Sequence, residues 1–254
     1  MQNIAPARGG ENSFICREIL AVMRILSSRL LASVLALFSV VVVATVPVHA
    51  AGKSVVVIGD SLAEGLYTGL YQLLKAEPGA SVSRKTKIST GLVRKDKFDW
   101  SAAARRIAAS RQYSTAVISF GANDLISFRG PTVHYGDPRW ANHYADRVSE
   151  VVRNLRSGGM RVIWVGIPIV RKDRHQKDYA KLNDIFRRAA QMSGATYVDT
   201  WNALAVNGQY SVHGADANGN QAVLRHTDGV HFTPQGYVRY GQVVLDAMRA
   251  RGLI

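Results

Sequence analysis

Ser54-Val55-Val56-Val57-Ile58-Gly59-Asp60-Ser61-Leu62 is the stretch that decides the fold. Val55 to Ile58 form an unbroken, mostly β-branched apolar run, the pattern of a strand buried on both faces. Directly beyond it Leu62, Leu66, Leu70, Leu73 and Leu74 recur at helical spacing, until Pro78-Gly79 ends the segment. A buried strand that runs straight into a helix opens an α/β unit, and it leaves Ser61 at the junction.

The alternation continues along the chain. Ser114 to Phe120 reads as a second buried strand. Trp140, Tyr144, Val148, Val151, Val152 and Leu155 mark an amphipathic helix stopped at Gly158-Gly159. Arg161 to Val170 is a third clear strand, Tyr179 to Met192 a helix, and Ala195 to Val198 a short strand, with a weaker strand around Val82 to Ile88. A terminal helix opens at Thr233-Pro234, Thr as cap and Pro in the first turn. Strands alternating with helices imply right-handed crossovers and a mostly parallel sheet covered on both sides, a three-layer α/β/α domain.

Composition narrows the field. The 254 residues are 47% hydrophobic and 20% charged, which excludes collagen-like, coiled-coil and mostly disordered chains. The single cysteine, Cys16, excludes a disulfide framework and a multi-cysteine metal site. Leu30 to Val46 is apolar and uncharged, follows Arg24 and Arg29, and ends at Pro47-Val48-His49-Ala50. Val48 and Ala50 fit the small-residue pattern before a signal-peptidase cut, so cleavage is expected after Ala50, leaving residues 51–254. An uncleaved membrane anchor is the competing reading, because about 17 apolar residues approach the spanning minimum. Met23 is a candidate true start, since the polar stretch before it is long for a leader. The net charge is +14; losing Arg8, Arg17, Arg24 and Arg29 with Glu11 and Glu18 leaves 14 − (4 − 2) = +12. The basic character therefore belongs to the expected mature domain.

In sheets of this kind ligands sit at the carboxyl ends of the strands. Gly59-Asp60-Ser61, Gly121-Ala122-Asn123-Asp124, Pro168 and Asp199-Thr200-Trp201 fall there. A serine hydroxyl is a poor nucleophile until a base takes its proton, and the base works best when a carboxylate orients it. Asp228-Gly229-Val230-His231 supplies both groups just before the last helix. The chain order is then Ser61, Asp228, His231. Asn123 offers a side-chain amide for a developing oxyanion, and the backbone N–H groups of Ser61 and Gly91 would complete the hole.

Gly59-Asp60-Ser61-Leu62, Gly91, Gly121-Ala122-Asn123-Asp124 and Asp228-Gly229-Val230-His231 resemble the four sequence blocks of the SGNH/GDSL hydrolase superfamily. They occur in the family's order and span nearly all of residues 51–254. Ser89 to Arg94, Phe98 to Trp100, Trp164 to Gly166 and Val198 to Trp201 further resemble the exported bacterial group classed as DUF459. The resemblance implies a flavodoxin-like three-layer fold and ester hydrolysis or acyl transfer without a cofactor. It implies Ser61 as nucleophile, His231 as base, Asp228 as its orienter, and Ser61, Gly91 and Asn123 in the oxyanion hole.

Plainer readings apply to the neighbouring residues. Ser61 taken alone is a helix-capping serine, Asp60 supports a turn, and Asp124 is structural. His226, close to Asp228, is the one rival to His231 as base. Asp216-Ala217-Asn218-Gly219-Asn220 lacks the glycine at position six and the distal glutamate of a calcium loop and reads as a polar turn. Trp140 and Tyr144 fit a core stripe, while His134 and Tyr135 are candidates for substrate contact. The basic residues from Arg84 to Lys97 surround Gly91, which suggests an anionic substrate or an anionic envelope surface. Nucleic acid is not expected for an exported chain without a binding motif. The expectation is an exported serine esterase acting on small acyl groups of envelope glycans or similar esters. An O-acyltransferase, a glycan-binding protein on an inactive hydrolase fold, and a thioesterase or lipase are the alternatives.

Overall fold

The structure is a computed structural model that describes residues 53–129, 133–171 and 173–254, without the side chains at 173 and 174. The expected leader, with Leu30 to Val46 and the cut after Ala50, lies outside the described residues. No helix among the described residues is long and apolar enough to cross a membrane.

Val55 to Ile58 are buried, as their run of apolar residues demands, and form the heart of strand β1 (Lys53–Gly59). It leads into helix α1 (Ser61–Leu74), and strand β2 (Ala80–Thr86) returns beside β1. Helix α2 (Trp100–Ala109), strand β3 (Thr115–Ser119), helix α3 (Pro138–Arg156) and strand β4 (Arg161–Val165) follow. Then come helix α4 (Asp173–Met192), strand β5 (Thr196–Val198) and the short helix α5 (Thr200–Ala203). An antiparallel hairpin of β6 (His213–Ala215) and β7 (Gln221–Val223) precedes the final helix α6 (Pro234–Arg249).

The five main strands pair in parallel in the order β2-β1-β3-β4-β5. This is the flavodoxin-like order, and its topological switch lies between β1 and β3. Helices α1 and α6 pack on one face, and α2, α3 and α4 follow one another on the other. The expected α/β/α architecture is therefore the observed one. The switch point matters because the strand ends part there. Gly59, at φ +147, comes so close to β3 that an added Cβ would lie 1.9 Å from the Ser119 carbonyl.

Glycine also sets the contact between α1 and α6. A Cβ on Gly65 would fall 1.9 Å from the Tyr237 ring, and one on Gly69 would fall 1.9 Å from the Tyr237 carbonyl. The two backbones therefore approach more closely than any larger residue allows.

Several elements differ from the sequence reading. The third expected strand stops at Val165 rather than Val170, because the backbone beyond is taken by side chains. Thr200 donates to the Gly166 carbonyl, and the Asn183 amide both accepts from Ile167 N–H and donates to its carbonyl at 2.8 Å. Helix α4 starts at Asp173, ahead of Tyr179. Helix α2 and the β6–β7 hairpin had not been foreseen.

Gly69→Ala forces a methyl group against backbone that has no rotamer to yield. Overpacking of this kind costs about 1–3 kcal/mol, so thermal unfolding should shift down by about 2–12 °C for a domain of this size. An unchanged midpoint would show that α1 and α6 are free to separate.

Candidate active site

Ser61 does not cap its helix. Asp60 does, its Oδ1 accepting from Leu62 N–H at 2.9 Å, which makes Ser61 the first residue inside α1. The hydroxyl is thereby held at the helix N-terminus, at the carboxyl end of β1. The loop before α6 supplies the partner. His231 Nε2 lies 2.8 Å from Ser61 Oγ, and His231 Nδ1 lies 2.7 Å from Asp228 Oδ2. An ionised carboxylate can only accept, so Nδ1 carries the proton and Nε2 presents its lone pair to the serine hydroxyl.

Asp228 is built to stay ionised. Partial burial opposes the charge, but N–H groups of Val230 (2.8 Å) and His231 (2.9 Å), together with the His231 ring, outweigh it. The carboxyl is held well below the usual carboxylate range. His226, the rival base, stands 3.4 Å from Asp228 Oδ2 and makes no bond to Ser61.

Asn123 ties the other two segments together. Its amide donates to the Thr90 carbonyl at 3.0 Å and, at a long 3.4 Å, to Asp60 Oδ2. It therefore bridges the residues that directly precede Gly91 and Ser61. The backbone N–H groups of Ser61 and Gly91 have no acceptor among the described residues. Asp124 fixes the Gly91 loop from beneath. It is fully buried and accepts from Leu92 and Val93 N–H, both at 3.0 Å, and from the Tyr144 hydroxyl at 2.7 Å. A Cβ on Gly91 would lie 2.1 Å from Asp124 Oδ1, so only glycine fits there.

Four supporting residues escaped the sequence reading. Thr90 receives Trp100 Nε1–H on its hydroxyl at 3.0 Å as well as Asn123 on its carbonyl. Tyr144 was read as core only. Arg225 is 4% exposed and forms no ion pair among the described residues; it donates to Ile169 and Val230 carbonyls at 2.9 and 3.0 Å and lies 4.1 Å over the Phe232 ring. Burial pulls its pKa down to about 10. Arg171 also holds the His231 loop, its N–H donating to the Gly229 carbonyl at 3.0 Å and its guanidinium to the Thr227 carbonyl. An arginine three residues ahead of the Asp228 block was the only sequence signal for this brace.

Tyr135 stands edge-on to Trp140, its backbone N–H donates to Ser127 Oγ at 3.0 Å, and it remains partly exposed. His134 is exposed. Asp216 Oδ1 accepts from Asn218 and Asn220 N–H and closes the β6–β7 turn. Within the basic stretch, Arg84 pairs with Glu64, Arg94 with Asp96 and Lys95 with Glu150.

A parallel sheet in this order, with a serine and an amide at its switch point and an Asp-x-x-His loop before the last helix, has the fold of solved SGNH/GDSL-type hydrolases. The family model described as "Protein of unknown function (DUF459)" matches residues 54–247, and the chain belongs to that family. The fold is similar to a GDSL-like lipase from Bacteroides thetaiotaomicron, at TM-score 0.54 and 16% identity over 78% of this chain and 89% of that one. It is similar to LAE5, an α/β hydrolase enzyme from the metagenome of Lake Arreo, at TM-score 0.57 and 18% identity over 79% and 96%. A variant of Axe2, an acetyl-xylooligosaccharide esterase of Geobacillus, matches at TM-score 0.54 and 17% identity over 77% and 94%. No curated protein sequence matches significantly.

Burial raises the Asp60 carboxyl from its ordinary 3.8 to about 7, against the N–H bond from Leu62. The folded protein then holds a proton that the unfolded chain releases between these values, so this group makes stability fall as pH rises from about 4 to 7. Thermal unfolding at pH 5 and pH 8 should show a smaller pH-dependent drop in Asp60→Asn than in the unchanged protein. Identical drops would contradict the assignment.

Proposed function

We propose that the protein is an exported serine acylhydrolase of the SGNH type. The observation that carries this reading is His231, placed between Ser61 Oγ at 2.8 Å and Asp228 Oδ2 at 2.7 Å. A base oriented by a carboxylate and bonded to a serine hydroxyl has a direct chemical use, removal of that hydroxyl's proton.

In this reading an ester carbonyl sits over Ser61. As Oγ attacks the carbonyl carbon, its proton passes to His231 Nε2, and the carbonyl oxygen becomes an oxyanion. Ser61 and Gly91 N–H and the Asn123 amide are the donors for that oxygen, the long Asn123–Asp60 bond being the weak one to exchange. Collapse breaks the ester C–O bond, and His231 returns the proton to the departing alkoxide. Water then gives a proton to His231 and attacks the acyl-serine; the acyl–Oγ bond breaks, His231 returns the proton to Ser61 Oγ, and the acid leaves. Asp228 stays ionised throughout and stabilises the imidazolium.

Export and a glycan ester as substrate are part of the proposal. They are supported by the apolar run Leu30 to Val46 before the domain and by the fold shared with an acetyl-xylooligosaccharide esterase.

Hydrolysis of p-nitrophenyl acetate tests the reading. Ser61→Ala and His231→Ala should each lower kcat about 10³-fold or more, and Asn123→Ala about 10²–10³-fold. Equal turnover in all four proteins would overturn the assignment of Ser61.

A further inference from the structure

We propose that the groove between strand β2 and helix α2 is a second ligand site, which takes an amphipathic anion: a carboxylate carried on an apolar chain. The groove has a volume of about 460 Å³, in the range of small-molecule sites. None of Ser61, Asn123, Asp228 or His231 lines it. The proposal does not depend on the hydrolase reading.

Strand alternation creates its charge. Successive side chains of a strand point to opposite faces. On edge strand β2, Arg84 and Thr86 both turn to α1, where they bond Glu64. Lys85 and Lys87 therefore turn the other way, toward α2, and line the groove with Arg106. No carboxylate lines it, and none of these three cations has an ion pair among the described residues. Their neighbours Arg84, Arg94 and Lys95 all have one. Three like charges around one groove repel each other until an anion enters.

The body of the groove is apolar. Phe98, Trp100, Ile107 and Tyr113 line it, and Lys87 Nζ already lies 4.8 Å over the Phe98 ring. Thr86, Ser110 and Gln112 are its neutral polar members and no carboxylate lines it, so a hydroxyl-rich sugar acid finds few acceptors beside the rings and Ile107. Hydrocarbon needs none and gains from leaving water. An acyl chain along the rings with its carboxylate among Lys85, Lys87 and Arg106 matches both halves.

The groove also touches the candidate active site through Thr90. Thr90 donates to the Lys87 carbonyl at 2.6 Å, accepts from Trp100 Nε1–H at 3.0 Å, and bonds the Asn123 amide through its carbonyl. Trp100 is thus a reporter inside the groove.

The experiment follows the indole N–H signals of the ¹⁵N-labelled protein, with Trp100 identified by Trp100→Phe, during titration with octanoate. The expected result is a saturable shift of the Trp100 signal. Lys85→Gln with Arg106→Gln should weaken the apparent affinity about tenfold or more, the effect of losing two charge-assisted contacts. High salt should weaken it in the unchanged protein. Octyl glucoside, a neutral amphiphile, and trigalacturonate, an anion without a chain, should give no saturable shift at the same concentrations. Absence of a saturable shift with octanoate would overturn the proposal. So would equal affinity in the double variant, an equal response to octyl glucoside, or saturable binding of trigalacturonate. Octanoate is not an ester, so failure of the Ser61 assignment leaves this measurement untouched.

Discussion

Helices α1 and α6 meet almost backbone to backbone, and the candidate active site depends on that approach. Ser61 opens α1, while His231 lies on the loop that leads into α6 at Pro234; the two are 170 residues apart in sequence. Gly65 and Gly69 on one helix accept Tyr237 of the other without a gap, and Gly241 faces the Gly69–Leu70 backbone in return. Any larger residue in this seam would push the helices apart. A 2.8 Å hydrogen bond tolerates little of that, and misplacement by about 1 Å can cost a hundredfold in rate.

A second set of constraints orders the donors. Asp124 accepts from Leu92, Val93 and Tyr144, which holds the loop after β2 against the segment after β3. Burial raises the pKa of this carboxyl, and the three donors offset part of that cost. Asn123 then spans from Thr90 to Asp60, so the residues ahead of Gly91 and Ser61 are held by one amide. On the far side Arg225 and Arg171 grip the carbonyls of the Asp228–His231 loop. Three separate loops are fixed this way on one sheet end. Rigid placement of such groups before any substrate arrives is what makes fixed dipoles effective against developing charge.

Much of this was legible in the sequence, for a physical reason. A parallel sheet buries its strands on both faces, so β1, β3 and β4 read as unbroken apolar runs, and the chemistry falls in short blocks at their ends. Ser61, Asn123, Asp228 and His231 could be picked out because each lies beside such a marker. Helix α2 could not, since its buried face is mostly alanine and serine rather than large apolar residues, and its cap, Asp99, resembles many other acidic residues. The strands of the β6–β7 hairpin are three residues each, too short for any periodicity. Thr90, Tyr144 and Arg225 were missed because each acts partly through a partner far away in the chain: Asn123, Asp124 and Ile169 respectively. The basic stretch from Arg84 to Lys97 was visible as charge, but strand alternation separates Arg84, paired with Glu64, from Lys85, which lines the β2–α2 groove.

The most direct test of the account is to react the protein with a fluorophosphonate and locate the adduct by peptide mass spectrometry. Such a reagent is attacked only by a serine whose proton is being removed. The account predicts one adduct per chain, on Ser61, forming far more slowly in His231→Ala and absent in Ser61→Ala. Labelling of another residue, or labelling of Ser61 at an equal rate without His231, would contradict it.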